Sequence, residues 1–379
     1  MAKKEDKNKK KKVVLKKTSK KYLKKSRSSP KKLIKKEAGA PVFIKFDNNP
    51  IILPNTENVW ETRATFNPAA IYADGKVHIF YRAIGDNDVS VFGYASSSDG
   101  FSIDKRSDEP AYQRTWQRSS FDLPIVYGSG GSWNGGCEDP RLTVIGDTVY
   151  MLYTAFDGWG SLRIALTSIK LEDFLNEKWN WKGPVLISPP GEIHKNWTIF
   201  PEKINGKYAI LHSISPKILI DYVDSMDEFN GKRFIKSQYG ADSTRKNFWD
   251  SSIRGAGPPP IKTEQGWLLL YHAMDNKDPN KYKIGAMLLD LKDPAKILHR
   301  SEKPLLEPEE CYENEGFKAG VVYSCGAVVF GGKLMVYYGG ADKVTCVATA
   351  DFNDLLKKLV FGGKPELKSA KKIAKKSKR

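Results

Sequence analysis

The stretch "GGCEDPRLTVIGDTVYMLYTAFDG" (residues 135–158) places Glu138 and Asp139 directly before Pro140 and Arg141. A carboxyl group held beside a fixed cation can hand a proton to an oxygen, or take one from it. Other polar residues fall near the starts and ends of strand-like segments: Asn67, Arg82, Asp86, Arg163, Glu202, Lys203, His212, Arg254, His272 and Asp342. Direct glycoside hydrolysis needs two carboxylates, one as acid and one as base or nucleophile. A site that also takes a phosphate needs clustered Arg, Lys and His donors. Cations here are at least as numerous as carboxylates, which favours anion handling. Most of these residues also have a plain structural reading. Glu138 and Arg141 could form an ion pair. His212 and His272 could sit in the core, Lys203 could be a surface lysine beside the Asn205-Gly206 turn, and Arg254 could belong to a loop shaped by its glycines. Asp139, before a proline at a strand start, is the hardest to explain by packing.

Five loosely similar segments would have to position these groups. They are "NPAAIYADGKVHIFYRA" from Asn67, "DPRLTVIGDTVYMLYTA" from Asp139, "PEKINGKYAILHSIS" from Pro201, "PPPIKTEQGWLLLYHAM" from Pro258 and "CGAVVFGGKLMVYYGGAD" from Cys325. Each reads as a short apolar strand, a Gly-bearing turn and an alternating second strand, and most are followed by a third strand. Five such units predict an all-β five-bladed propeller, with a β-sandwich as the competing architecture. Four segments carry proline at the expected strand start, a place where a missing ladder donor does no harm. Proline also predicts an extended conformation for the residue before it, here Asn67 and Asp139. A helix is expected over 351–359, with Asp351 as its N-cap. The Trp-, Gly- and Ser-rich stretch 103–136 is expected to form a lid or an acceptor-subsite wall.

The net charge of +18 resides in two tails. Residues 1–37 hold 18 Lys/Arg against 3 Asp/Glu, and residues 364–379 hold 8 against 1, which leaves residues 38–363 at −4. The expected organisation is therefore a disordered Lys-rich tail (1–37), a catalytic body (38–363) and a Lys-rich C-terminal tail (364–379). Weak contact with polyanions by counterion release is the one partner the tails suggest. Four cysteines without metal-ligand spacing predict reduced thiols in a cytoplasmic protein. No stretch reads as a signal peptide or a membrane span, and no metal site is expected. An oligomer is compatible with such a body.

Taken in order, "FNPAA", "FYRA", "GCEDPRL", "FPEKINGKY", "GAGPPPIKTEQGWLLLYH" and "VYYGGAD" resemble glycoside hydrolase family 130, the β-mannoside phosphorylases and related mannosidases. The resemblance spans about residues 60–350 and implies a five-bladed propeller. It also implies inverting phosphorolysis of manno-oligosaccharides to α-mannose 1-phosphate, a glycosyltransferase-type reaction with inorganic phosphate as co-substrate and no cofactor. Asp139 matches the family's catalytic acid. Arg163, Lys203, Arg254 and His272 are carried over for phosphate, and Asn67, Arg82, Asp86 and Asp342 for the sugar. Ser213 stands where many relatives have arginine. Hydrolysis by a β-mannosidase on the same fold is the alternative within the family. A non-catalytic propeller that binds polyanions or carbohydrate is the alternative outside it.

Overall fold

Strand-forming alternation and tight turns build five antiparallel units in chain order. The computed structural model describes residues 43–113, 134–156, 162–238 and 245–362. The first unit comprises Ala64–Ala73, Lys76–Ile84 and Ser90–Ser97. The second comprises Gly136–Ile145, Thr148–Phe156 and Leu162–Lys170. The third comprises Thr198–Ile199, Tyr208–Ser213 and Leu219–Val223. The fourth comprises Ser252–Ala256 with Ile261–Thr263, then Gly266–Asp275 and Asp278–Leu289. The fifth comprises Val322–Phe330, Lys333–Gly340 and Val344–Asp351. The turns at Asp74-Gly75, Asn205-Gly206 and Gly331-Gly332 have positive φ at both residues, as a two-residue turn matched to strand twist requires.

The expected C-terminal helix is present and runs over Phe352–Gly362. The Asp351 carboxylate accepts the Asp354 N–H at 2.8 Å, so Asp351 caps it as its residue type predicts. A single parallel bridge, Ser90 to Gly136, joins the first two units into one sheet. At the other extreme of the body, Ile44–Lys45 pairs antiparallel with Val344–Asp351, so an N-terminal segment completes the last sheet.

The apolar faces meet at five junctions, one between each pair of successive units and one between the last and the first. Phe80 and Phe92 pack with Leu142 and Met151 between the first two units. Ile164 and Leu166 meet Ile199 and Ile210 at the next junction, and Leu211 meets Trp267 and Leu269 at the third. Leu268 and Ile284 pack on Val336 and Ala348 between the fourth and fifth. Met335, Tyr337 and Val347 of the fifth unit pack on Val77, Ile79 and Tyr81 of the first. Each Val, Leu, Ile, Phe or Met among them that is withdrawn from water contributes about 1.5–3 kcal/mol.

Three units carry the same buried clamp. Glu61 accepts the Tyr81 hydroxyl at 2.8 Å and the Arg106 guanidinium at 2.6 Å. Asp250 accepts Tyr271 and Arg300, both at 2.7 Å. Glu313 accepts Tyr338 at 2.8 Å and Lys45 at 2.6 Å. All three acids are fully buried, so each needs both partners. An aromatic residue precedes each one in sequence: Trp60, Trp249 and Tyr312.

The proline expectation needs correction. Asn67-Pro68 and Asp139-Pro140 lie inside their strands, where the register shifts between Phe66 and Ala69 and between Glu138 and Arg141. Each pair is the extra material of a β-bulge. Asn67 and Asp139 are left-handed there, with φ of 48° and 55°, rather than extended. Asn and Asp tolerate that region because their short polar side chains bond locally, and this outweighs the preference imposed by the following proline. Pro201 and Pro258 follow their strands instead of beginning them.

Candidate active site

The two bulges aim Asn67 and Asp139 at each other. The Asn67 side-chain amide donates to Asp139 Oδ1 at 2.9 Å. Arg82, on the second strand of the first unit, crosses beneath them. Its guanidinium donates to Glu138 Oε1 at 2.8 Å, to Asp139 Oδ1 at 3.4 Å and to Ser90 Oγ at 2.9 Å. Phe66 lies under the Arg82 guanidinium, 4.8 Å from its ring centre. Lys195 approaches Glu138 Oε2 at 3.3 Å from the third unit. A Cβ on Gly339 would lie 2.3 Å from Asn67 Oδ1, so the fifth unit can approach this group only with glycine at that position.

Arg141 ties the floor together. Its guanidinium donates to the carbonyls of Gly257 at 2.9 Å, Asp139 at 3.0 Å and Ala256 at 3.2 Å. It also reaches Asn196 Oδ1 at 3.0 Å and the Tyr323 hydroxyl at 3.3 Å. Tyr323 in turn donates to Asn196, whose side-chain amide donates to the Arg254 carbonyl. A Cβ on Gly255 would fall 2.5 Å from that amide, which explains glycine next to Arg254. Beside this floor is a small open pocket lined by Lys195, Asn196, His212, Ser213 and Arg254, among others.

The two central carboxyls are driven in opposite directions. Burial disfavours the charge on Asp139, but Arg82, Lys195 and Arg141, with the Asn67 hydrogen bond, hold its pKa below the usual carboxylate value. Burial pushes Asp342 up to about 6, with Lys318, Arg82 and Lys195 opposing that rise and Asp139 adding to it. Asp342 is left-handed, with φ of 53°, as Asn67 and Asp139 are.

The remaining candidate residues divide. Arg254 lines the pocket. Arg163 lies in register with Cys137 through Ala155, at the same end of its unit as Asp139. Its guanidinium is held on the Ser188 carbonyl and lies 5.1 Å from the Phe234 ring centre. His272 is fully buried and stacked on Tyr323 at 4.0 Å, and its Nε2 accepts the Ser324 N–H at 2.9 Å. Burial, with Arg141 adding, holds its pKa near 3, so it is a neutral ring and not the cation expected. His212 lines the pocket, bonds Ser237 at 2.8 Å, and is held near pKa 4 by burial.

Three residues are not brought to the group. Lys203 is exposed at the turn end of the third unit, 4.4 Å from the Tyr208 ring centre. The pocket end of that strand, at His212, is roughly 13 Å further along at the usual strand rise. Asp86 is exposed on a loop and accepts the Thr62 hydroxyl at 2.6 Å. Glu202 is exposed and paired with Lys262. The proposed lid falls mostly on 114–133, and both tails also lie outside the described residues.

The family model of glycoside hydrolase family 130, described as β-1,4-mannooligosaccharide phosphorylase, matches residues 33–360. The chain belongs to glycoside hydrolase family 130. A 1,2-β-oligomannan phosphorylase from Thermoanaerobacter sp. (strain X514) is 39% identical over 82% of this chain and 98% of its own length. A β-1,2-mannobiose phosphorylase from the same organism is 37% identical over 81% of this chain and 96% of its own. Among solved structures, the β-1,2-mannobiose phosphorylase of Listeria innocua in complex with β-1,2-mannobiose is similar with a TM-score of 0.63 at 25% identity. That similarity covers 84% of this chain and 99% of that one.

Within this family 130 chain, sequence reasoning missed Lys195, Asn196, Tyr323 and Lys318. The signal for the first two was "HKNW" at 194–197. Asn196 has φ of 66°, so it takes the left-handed place that Asn67 and Asp139 take in their units. Aligning the third segment on Pro201 rather than Asn196 selected Lys203 where the fold presents Lys195. Among the described residues, no cluster of three or more His, Cys, Asp or Glu could hold a metal, and no helix is long and apolar enough to cross a membrane.

Proposed function

We propose that this chain is an inverting β-mannoside phosphorylase acting on β-1,2-linked manno-oligosaccharides. Asp139 supplies the proton, and inorganic phosphate is the nucleophile. The observation that carries this reading is the pairing of one bulge-held acid with a pocket whose wall bears Lys195 and Arg254. The relatives supply the linkage. Those acting on β-1,2-linked substrates are 36–39% identical to this chain, whereas a β-1,4-mannooligosaccharide phosphorylase from Ruminococcus albus is 28% identical.

A phosphate oxygen attacks the anomeric carbon from the face opposite the leaving sugar. The glycosidic bond breaks, and the product is α-mannose 1-phosphate. Asp139, ionised in the free site, gains its proton once bound phosphate adds negative charge beside it, and passes it to the departing oxygen through a hydroxyl of the mannosyl unit. The proton lost by hydrogen phosphate as its oxygen becomes an ester restores the acid, so protons balance without a second carboxylate base. Phosphate is already anionic, so the protein must position it and offset its charge. Lys195 and Arg254 are assigned to that task, with Arg163 at the rim. Asn67 and Arg82 orient Asp139, Asp342 faces the sugar, and His272 supports Tyr323.

A closed five-bladed propeller over residues 38–363 accounts for the frame. The five apolar junctions, one of which returns from the last unit to the first, support closure, as does the pairing of Ile44–Lys45 with the last strand. A linkage comparison tests the function. With phosphate present, β-1,2-mannobiose should release mannose 1-phosphate far faster than β-1,4-mannobiose does. Equal or reversed rates would reject the substrate assignment.

A further inference from the structure

Tyr282 lies on the Asp278–Leu289 strand and is clipped onto the start of the fifth unit. Its N–H donates to the Gly320 carbonyl at 2.8 Å, and it forms a parallel bridge with Val321. The ring is buried among Met274, Val321, Tyr323 and Cys325. Two cations lie against it. The Arg254 guanidinium carbon is 5.5 Å from the ring centre, and Lys318 Nζ is 4.2 Å from it. Both distances fall within the range in which a ring quadrupole holds a cation, and burial strengthens that hold.

The two cations face different parts of the site. Arg254 lines the small pocket with Lys195 and His212. Lys318 donates its backbone N–H to the Ala341 carbonyl at 3.1 Å, next to Asp342, and its charge opposes the effect of burial on that carboxyl. Among the described residues, Lys318 has no carboxylate within ion-pair distance, so the ring is the side-chain contact that places its ammonium.

We propose that Tyr282 is a positioning residue for the phosphorolytic site, its ring setting Arg254 at the anion pocket and Lys318 against Asp342. The proposal rests on the assignment of Arg254 to phosphate. The face of the ring acts here, not the hydroxyl. Phenylalanine should therefore replace tyrosine, while an aliphatic residue of similar size should not.

The test compares Tyr282→Phe, Tyr282→Leu and Arg254→Ala in phosphorolysis of β-1,2-mannobiose, with separate KM values for phosphate and mannoside. Tyr282→Phe should stay within about twofold of the parent in every constant. Tyr282→Leu should raise the phosphate KM on the order of tenfold, as expected for loss of a desolvated cation–π contact, and leave the mannoside KM nearly unchanged. It should also move the pH-profile limb belonging to Asp342 to higher pH, since Lys318 no longer opposes the effects of burial and of Asp139. Should the leucine variant not fold, Tyr282→Met carries the same expectation.

Equal losses in the Phe and Leu variants would overturn the proposal, because they would mean that the hydroxyl, which both variants lack, is what acts. So would a leucine variant with the parent's phosphate KM when Arg254→Ala raises it. An unchanged phosphate KM in Arg254→Ala itself would reject the phosphate assignment, and the role of Tyr282 with it.

Discussion

Asn67 donates its side-chain amide to Asp139 Oδ1 at 2.9 Å, and the two residues occupy equivalent left-handed bulge positions on the first strands of adjacent units. The acid is thus held by the repeat itself: one unit supplies the carboxyl and its neighbour supplies the donor that orients it. Arg82 completes the arrangement by spanning Glu138 and Asp139 from below.

Replacing that donor with a carboxylate tests the relationship. Asn67→Asp keeps the shape and the tolerance for positive φ, but removes the hydrogen bond and adds a like charge. The pKa of Asp139 should rise. The high-pH limb of the kcat/KM profile, on which the donor Asp139 loses its proton, should move to higher pH in the variant. A profile that overlays the parent's would show that Asn67 does not tune the acid.

Asp342 illustrates a cost of the site. Its folded-state pKa is raised to about 6 from an ordinary value of 3.8. The folded state then binds more protons than the unfolded state between those values, so this group's contribution makes the protein less stable as pH rises through the window. Asp342→Asn removes that penalty and suits the left-handed backbone. The variant should be more stable than the parent at pH 7–8 by on the order of 2–3 kcal/mol, with the difference vanishing near pH 4. Denaturant melts at the two pH values measure it, and activity should fall as stability rises.

Lys195 and Lys203 separate the site seen in the structure from the one expected from spacing. Lys195→Ala should raise the phosphate KM and lower kcat/KM by roughly 10²-fold, because a buried charge network loses a partner. Lys203→Ala, at an exposed turn, should match the parent within about twofold, since surface changes of this kind are usually near neutral. Steady-state kinetics on both variants decide between them.

The buried clamps make a prediction about stability alone. Tyr271→Phe removes the hydroxyl from Asp250 and leaves a buried carboxylate short of a donor. The cost should be about 1–3 kcal/mol in urea unfolding. Activity at saturating substrate should stay close to the parent's, because the Tyr271 hydroxyl bonds Asp250 and Arg300 and none of the residues around Asp139.

Much of this was legible in the sequence. Alternation and Gly-bearing turns located the strands, the aspartate before "FNDLLKKL" marked the helix cap, and Asp139 stood out as a carboxyl that packing could not explain. What misled was proline. In the first two units it marks the bulge, but in the third and fourth it follows the strand, so an alignment on proline slides past Lys195 and Asn196. The positive φ that unites Asn67, Asp139 and Asn196 is a backbone property with no single residue code. The neutrality of His272 was also invisible, because it arises from burial behind Tyr323, a residue about 50 positions away. The clamp acids repeat as "VWE", "FWD" and "CYE", a pattern too short to weigh before the structure showed each acid meeting a tyrosine and a cation.

The most direct test of the account follows β-1,2-mannobiose by NMR with the parent enzyme and with Asp139→Asn, each with and without inorganic phosphate. The parent should form α-mannose 1-phosphate and mannose in equal amounts only when phosphate is present, and Asp139→Asn should be slower by about 10²–10⁴-fold with its fold intact. Two molecules of free mannose released per disaccharide, at the same rate with or without phosphate, would contradict phosphorolysis and leave a hydrolase.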